Sequence, residues 1–168
     1  EKMKESDFKE MLDILIYATE KENVEIINAL LKDFDNFTKD QKGYILHVLS
    51  KNLTDTNYEV ISKLIFEYFT TDFSDEYGNL LHYACYGKSL KMVKELVEKG
   101  LDIDQPNFFG NTPFLVACKN SSTTVLRYLV EKGIDIFTKN HEGENALHNA
   151  VKGSNIENLT YLLSLGLD

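Results

Sequence analysis

The chain has 168 residues, of which 27 are acidic and 18 basic, and its formal net charge is −9. Binding to phosphate needs clustered Lys and Arg, and the chain contains a single arginine, so we expect neither nucleic acid nor an anionic membrane surface as a partner. No apolar run approaches the roughly 18–20 residues that cross a bilayer, so we expect no membrane insertion.

Residues 1–72 carry a weak form of a helical pattern that becomes clear further along the chain. The first predicted pair of helices contains the run 15–18, followed by four apolar residues at helical spacing, Val24, Ile27, Leu30 and Leu31. The second pair contains the run 46–49 and requires extra residues between its helices. Two interpretations are open. The segment is either two degenerate repeats, since terminal repeats are atypical, or an unrelated helical cap.

From residue 73 onward the pattern recurs with a fixed period of 33 residues. Alanine and glycine mark the period: Ala84, Ala117, Ala150, Gly100, Gly133 and Gly166. Asn79, Thr112 and Asn145 are predicted N-caps of the first helix of each unit, and each glycine is predicted to end the second helix in a left-handed conformation. Such a period is typical of a solenoid. We predict five units within a single domain, 6–37, 38–72, 73–104, 105–137 and 138–168.

The motifs within these units resemble those of the ankyrin repeat family. The run 110–117, Gly-Asn-Thr-Pro-Phe-Leu-Val-Ala, is similar to the family's Gly-x-Thr-Pro-Leu-His-x-Ala, and the runs 81–84 and 143–150 carry parts of the same motif. The resemblance implies an all-α ankyrin repeat solenoid of helix–turn–helix units with hairpin loops at one edge. One departure is that Gly78 lies a residue closer to Ala84 than the equivalent glycines lie to theirs, which predicts a shorter third hairpin.

Histidine and cysteine are the residues to test first for catalysis or metal binding. His82 and His148 belong to the repeat motif, and the resemblance implies that they join hairpin to helix by hydrogen bonds; His47 fits the same position of the second unit. Cys85 and Cys118 occupy equivalent positions and are predicted to act as small apolar side chains rather than as a disulfide. Because phosphate loops, nucleophile elbows and zinc-ligand spacings are missing, we expect no catalytic residue, metal, cofactor or small-molecule substrate.

The resemblance also implies where a partner protein would bind. In the family the shorter helices line a concave face, and the hairpin fingertips project at its edge. The exposed residues of these elements are the candidates for contact with a partner. They are Tyr77, Asn79, Tyr86, Phe108, Phe109, Asn111, Lys119, His141, Glu142 and Lys152.

Phe108 and Phe109 are the sharpest candidates. Two adjacent phenylalanines cannot both point into a thin hairpin stack, so at least one should be exposed and able to anchor an interface. In the alternative, one of them packs beneath the neighbouring finger against Tyr77. A stripe of Tyr77, Tyr86 and Phe108, flanked by lysines, would suit a peptide or helix with apolar anchors and some negative charge.

These observations predict a non-catalytic protein–protein interaction module, or scaffold. Two free cysteines suit a reducing compartment, so we expect a cytoplasmic location, or the host cytoplasm for a secreted effector. The alternative is the targeting part of a larger enzyme, effector or channel. The sequence stops at Asp168, where a further hairpin would begin, and we expect more protein to follow.

Overall fold

In the computed structural model, which describes residues 3–168, the chain forms ten α-helices in five consecutive pairs. They are α1 Glu5–Glu20, α2 Val24–Leu31, α3 Lys39–Lys51, α4 Tyr58–Tyr68, α5 Leu80–Ala84, α6 Leu90–Glu98, α7 Pro113–Asn120, α8 Thr123–Glu131, α9 Ala146–Lys152 and α10 Ile156–Ser164. A 3₁₀ helix spans Phe34–Asn36, and the strands β1 Ser74–Asp75 and β2 Gly78–Asn79 form an antiparallel hairpin. The predicted all-α class is confirmed.

The helices stack in two rows. In the first row α1 packs against α3, α3 against α5, α5 against α7, and α7 against α9. In the second row α4, α6, α8 and α10 pack in that order. Apolar side chains from Phe8 to Leu167 form a single core cluster that runs the length of the stack. This arrangement is the repeat solenoid that the 33-residue period predicts.

The helix ends follow the predicted caps. The side-chain oxygens of Asn79, Thr112 and Asn145 accept hydrogen bonds from amides of the first helical turn, at 3.0, 3.4 and 3.1 Å. These bonds satisfy backbone donors that have no partner within the helix. Beyond the second helices, the three period glycines have positive φ angles, +89°, +84° and +83° at Gly100, Gly133 and Gly166, so the predicted left-handed helix ends are confirmed.

The two amino-terminal pairs lack the long hairpins of the later ones. The link between α3 and α4 covers residues 52–57, whereas that between α1 and α2 covers residues 21–23, so the extra residues predicted in the second unit are present. The boundaries drawn between units stay a prediction. Within residues 3–168 no helix combines the length and the apolar character that crossing a membrane requires.

The carboxyl-terminal helix pairs bury two thiols and one asparagine that bonds across the pairs. Cys85 and Cys118 are free, buried thiols, and burial raises the pKa of both, so they are neutral and act as the small apolar side chains that the sequence predicts. Asn158 of α10 is fully buried. Its amide nitrogen donates to the carbonyl oxygens of Cys118 and Ser121, at 3.2 and 3.0 Å.

Candidate partner-binding face

Each of the three hairpin fingers is braced by one polar side chain at its base. The side-chain Oδ1 of Asp75 accepts from the amide of Tyr77 (2.9 Å), and Asn107 Oδ1 accepts from the amide of Phe109 (3.0 Å). Asn140 makes the equivalent bond in the last finger. These side-chain turns fix the fingertip backbone. The sequence analysis missed them, although an Asx residue three positions before each fingertip glycine is a visible signal.

Neighbouring fingers are bonded to one another through their backbones. The amide of Phe108 donates to the carbonyl of Glu76 (3.1 Å), and the amide of His141 donates to the carbonyl of Phe109 (3.0 Å). A side-chain bond from Asn107 Nδ2 to the carbonyl of Tyr77, at 3.0 Å, adds to the first contact. The three fingers therefore form one supported edge, and hydrogen bonds to the neighbouring finger hold the backbone at their tips.

The third finger is shorter than the next two, as predicted. Asp75 pairs with Gly78 across a two-residue turn, whereas the amide of Asn107 bonds to the carbonyl of Asn111 across three residues. The short finger approaches α3 closely at Gly43. A Cβ at that position would overlap the carboxylate of Asp75, so only glycine fits without a shift.

Two of the predicted contact residues are committed to the fold. Asn79 caps α5 through its side-chain oxygen, which accepts from the amides of Leu81 and His82. The carbonyl oxygen of Asn111 accepts from Nε2 of His82 (3.0 Å), and its side-chain oxygen accepts from Nδ2 of Asn140 (3.1 Å). Asn79 and Asn111 directly follow the fingertip glycines, and sequence position alone does not distinguish a capping amide from an exposed one.

Both interpretations of the phenylalanine pair hold, each for one residue. Phe108 is 72% exposed at the fingertip. Phe109 is 40% exposed and its ring centroid lies 5.7 Å from that of Tyr77, on the neighbouring finger. Tyr86, the third residue of the predicted stripe, is partly buried, and its ring packs edge-on against that of His47 at 4.9 Å.

Two hollows lie between the fingers and the first row of helices. We call the one at the later repeats the C-terminal groove; it has a volume of about 360 Å³ and is lined by Tyr86, Phe108, Phe109, Lys119, His141 and Lys152, among others. Eight of the ten predicted contact residues line this groove, namely Tyr86, Phe108, Phe109, Asn111, Lys119, His141, Glu142 and Lys152. The sequence reasoning therefore brought together side chains that the fold also brings together.

Ion pairing changes the charge expected in this groove. Lys152 Nζ lies 2.5 Å from a carboxylate oxygen of Glu144 and 3.8 Å from one of Glu142. The hydrogen bond between Lys152 and Glu144 raises the pKa of the lysine and lowers that of the carboxyl. Lys152 is thus already matched by two carboxylates, so the predicted preference for a negatively charged ligand loses one of its two supports, and Lys119 remains.

The second hollow, the N-terminal cleft, is larger, at about 620 Å³. Six rings line it: Phe8, Tyr44, His47, Tyr77, Tyr83 and Tyr86. Sequence analysis selected only Tyr77 and Tyr86 of these. The rest were missed because the cleft is formed where the irregular second helix pair meets the short third finger, and the repeat pattern is weakest there.

The histidines differ from one another in role. The amide of Asn79 donates to Nδ1 of His82 (3.2 Å), so the ring proton sits on Nε2 and is donated to Asn111; the predicted tie between hairpin and helix is confirmed. Burial lowers the pKa of His82 to about 4, against the opposing effect of its backbone bonds. His148 is exposed and shares a capping box with Asn145. His47 makes no such bond and instead faces the cleft, so its expected hairpin–helix role is wrong.

Across residues 3–168, no three His, Cys, Asp or Glu side chains are grouped so that they could hold a metal ion. His141, the remaining histidine, lies exposed at the last fingertip, beside the position that a Cβ on Gly110 would occupy.

Stacked helix pairs with a supported row of hairpin fingers define a helical repeat solenoid with an extended surface. The chain belongs to the ankyrin repeat family: the family model described as "Ankyrin repeats (3 copies)" matches residues 15–107 and 81–168. Ankyrin repeats are generally protein–protein interaction modules, and the proteins that carry them are typically non-catalytic. No curated protein matches the chain.

Proposed function

We propose that this chain binds a partner protein through the face formed by the fingers and the first row of helices, with Phe108 as its main apolar anchor. The observation that carries the proposal is the 72% exposure of Phe108 on a finger held by hydrogen bonds to its neighbour. Large apolar side chains on a rigid support give up little conformational entropy on binding, so more of their burial energy appears as affinity.

The expected contribution of Phe108 follows from its exposure. Complete burial of a phenylalanine side chain contributes about 1.5–3 kcal/mol, and most of that surface is available at Phe108. Replacement by serine should therefore weaken binding by about 2 kcal/mol, which is roughly thirtyfold in affinity. Phe109, already packed against Tyr77, has less surface to offer and should contribute less.

The test uses a matched control that the chain itself supplies. Phe137 is 68% exposed and lies outside both hollows. A partner is first captured from lysate with the unaltered chain and then purified, and its affinity is measured against Phe108→Ser and Phe137→Ser. We expect a large loss with Phe108→Ser and a small one with Phe137→Ser. Equal losses, or none with either, would contradict the proposal.

We also propose a reducing compartment, the cytoplasm or the host cytoplasm for a secreted effector, as the site of action. Free thiols at Cys85 and Cys118 support it. The chain produced in the cytoplasm should yield both thiols to alkylation after denaturation. Recovery of a native disulfide from cells would contradict this part of the proposal.

A further inference from the structure

The N-terminal cleft combines aromatic walls with exposed ring surface. Tyr44 of α3 is 53% exposed and Tyr77 of the third finger is 39% exposed. Tyr86 and His47 pack edge-on at the back of the cleft. The volume of about 620 Å³ lies within the ~300–1,000 Å³ range of clefts that bind small ligands.

The charges around this cleft have one sign. Four carboxyl groups line it, those of Glu5, Asp40, Asp75 and Glu76, and none of the lining residues in the described part of the chain is lysine or arginine. Burial, and then the nearby Lys51, lowers the pKa of His47, so its imidazole is neutral at neutral pH and does not oppose a cation. The walls and the rim thus both favour a positive charge.

The starts of α1 and α3 are the elements at the cleft that could favour an anion. The first turn of α1 carries the carboxylates of Glu5 and Asp7, and at the start of α3 two of the amides are already bonded. Thr38 Oγ1 accepts from the amide of Gln41 (3.2 Å), and the side chain of Gln41 accepts from the amide of Thr38 (2.9 Å). Asp40 adds a carboxylate within the first turn. Carboxylates of the protein itself therefore oppose the positive ends of both helices.

Rings outside the cleft often carry a cation of the same chain, although the exposed Phe108, Phe109 and Phe137 do not. Six rings outside the cleft each lie beneath a lysine or arginine of the same chain: Tyr17, Phe34, Tyr58, Phe66, Tyr128 and Tyr161. Among the described residues, none of the rings that line the cleft has a cation of the chain over it. The exposed surfaces of Tyr44 and Tyr77 are therefore not covered by a cation from the described part of the chain.

We propose that the N-terminal cleft receives a lysine or arginine side chain from a basic segment of the partner protein. The inference rests on the proposed function only in that the cation belongs to a protein, and it uses residues other than Phe108. Tyr44 and Tyr77 contact the cation through their ring faces, while Asp40 and Glu76 supply charge from the exposed rim.

Asp75 contributes from a fixed position beneath the rim. Its Oδ2 accepts from the hydroxyl of Tyr83 (2.6 Å), and its Oδ1 accepts from the amides of Tyr77 and Gly78. These bonds hold the carboxylate without a counter-ion, since no lysine, arginine or histidine among the described residues pairs with it. The negative field inside the cleft is therefore built into the fold, and the incoming cation need not reorganise it.

The experiment is an NMR titration of the ¹⁵N-labelled chain with two capped pentapeptides, each of four glycines around a central residue. One carries arginine at the centre and the other carries norleucine, which has a similar length and no charge. We expect saturable shifts of amides near Tyr44, His47 and Tyr77 with the arginine peptide and none with the norleucine peptide. No shifts, equal shifts with both peptides, or shifts spread over the outer helices would overturn the proposal.

Matched variants distinguish the effect of the cleft's own carboxylates on peptide binding from the effect of the chain's overall negative charge. Asp40→Asn with Glu76→Gln removes two charges at the rim, and Glu131→Gln with Glu157→Gln removes two exposed charges elsewhere. We expect the rim pair to weaken peptide binding at least fivefold and the distant pair by less than twofold. Tyr44→Leu, which keeps an apolar side chain but removes the ring face, should weaken it about threefold to fivefold. Equal effects of the two acidic pairs, or no effect of Tyr44→Leu, would overturn the proposal.

Phe108→Ser makes the two proposals separately testable. It should leave binding of the arginine peptide unchanged, because Phe108 does not line the cleft. Loss of the partner with Phe108→Ser and no peptide binding would refute the cation site alone. Peptide binding at the cleft together with undiminished partner binding by Phe108→Ser would refute only the fingertip anchor.

Discussion

Replacing Gly43 by alanine sets two physical effects against each other. Gly43 lies inside α3, where glycine costs about 1 kcal/mol relative to alanine, so helix propensity alone predicts that Gly43→Ala stabilises the protein. The structure predicts the opposite. A Cβ at residue 43 would overlap Oδ2 of Asp75 and lie 3.0 Å from the hydroxyl oxygen of Tyr83.

The magnitude follows from the bonds that must be displaced. The Tyr83 hydroxyl donates to the Asp75 carboxylate at 2.6 Å, and a hydrogen bond to a charged group contributes about 1.5–3 kcal/mol. Overpacking a closed contact costs a further ~1–3 kcal/mol. After subtracting about 1 kcal/mol for helix propensity, Gly43→Ala should lower the free energy of unfolding by about 1.5–5 kcal/mol.

Urea unfolding followed by circular dichroism measures this change. Ala29→Gly, at an exposed position of α2, calibrates the propensity scale and should cost about 1 kcal/mol. Combining Gly43→Ala with Asp75→Ala removes the overlapping carboxylate, and in that background the alanine should be neutral or stabilising. A Gly43→Ala protein as stable as the parent, or a loss unchanged by Asp75→Ala, would refute the reasoning.

The remaining predictions concern buried polar groups. His82 has a pKa of about 4 in the folded protein and an ordinary value of 6.5, so its stabilising contribution is complete above pH 6.5 and is lost as the pH falls toward 4. The difference between these two pKa values corresponds to about 3 kcal/mol of unfolding free energy. A His82→Gln variant should therefore lose less stability than the parent between pH 7 and 4, and an equal loss in the two proteins would contradict the lowered pKa of His82. Asn158→Ala should cost about 1–3 kcal/mol in urea unfolding, because it leaves the buried carbonyl of Cys118 without its donor, while the carbonyl of Ser121 keeps the amide of Asn155. A loss below about 0.5 kcal/mol would show that the Cys118 carbonyl finds another donor.

The repeat fold could be predicted from sequence because its signals are local. The side chain of Thr112 caps the helix that follows within three residues, and Gly133 takes a positive φ at the end of its own helix. Each of these needs only a few neighbouring residues, so a pattern repeated at a fixed period is sufficient to reveal it.

The N-terminal cleft could not be predicted in the same way. It depends on the third finger docking against α3, and this contact joins Gly43 to Asp75, which are 32 residues apart in an irregular part of the array. A glycine inside a helix was the available signal, since it indicates close approach of another element. The prediction for His47 failed for a related reason. In the irregular second pair its ring lines the cleft and packs against Tyr86, and it does not form the hydrogen bonds that tie hairpin to helix at His82.

Hydrogen–deuterium exchange of the chain with and without its purified partner tests the central claim, that binding uses the fingers and the first row of helices. The account predicts added protection at the fingertips 75–78, 108–110 and 141–143, and along the exposed sides of α3 and α7. Protection confined to the second row, α4, α6, α8 and α10, with unchanged exchange at the fingertips, would contradict it.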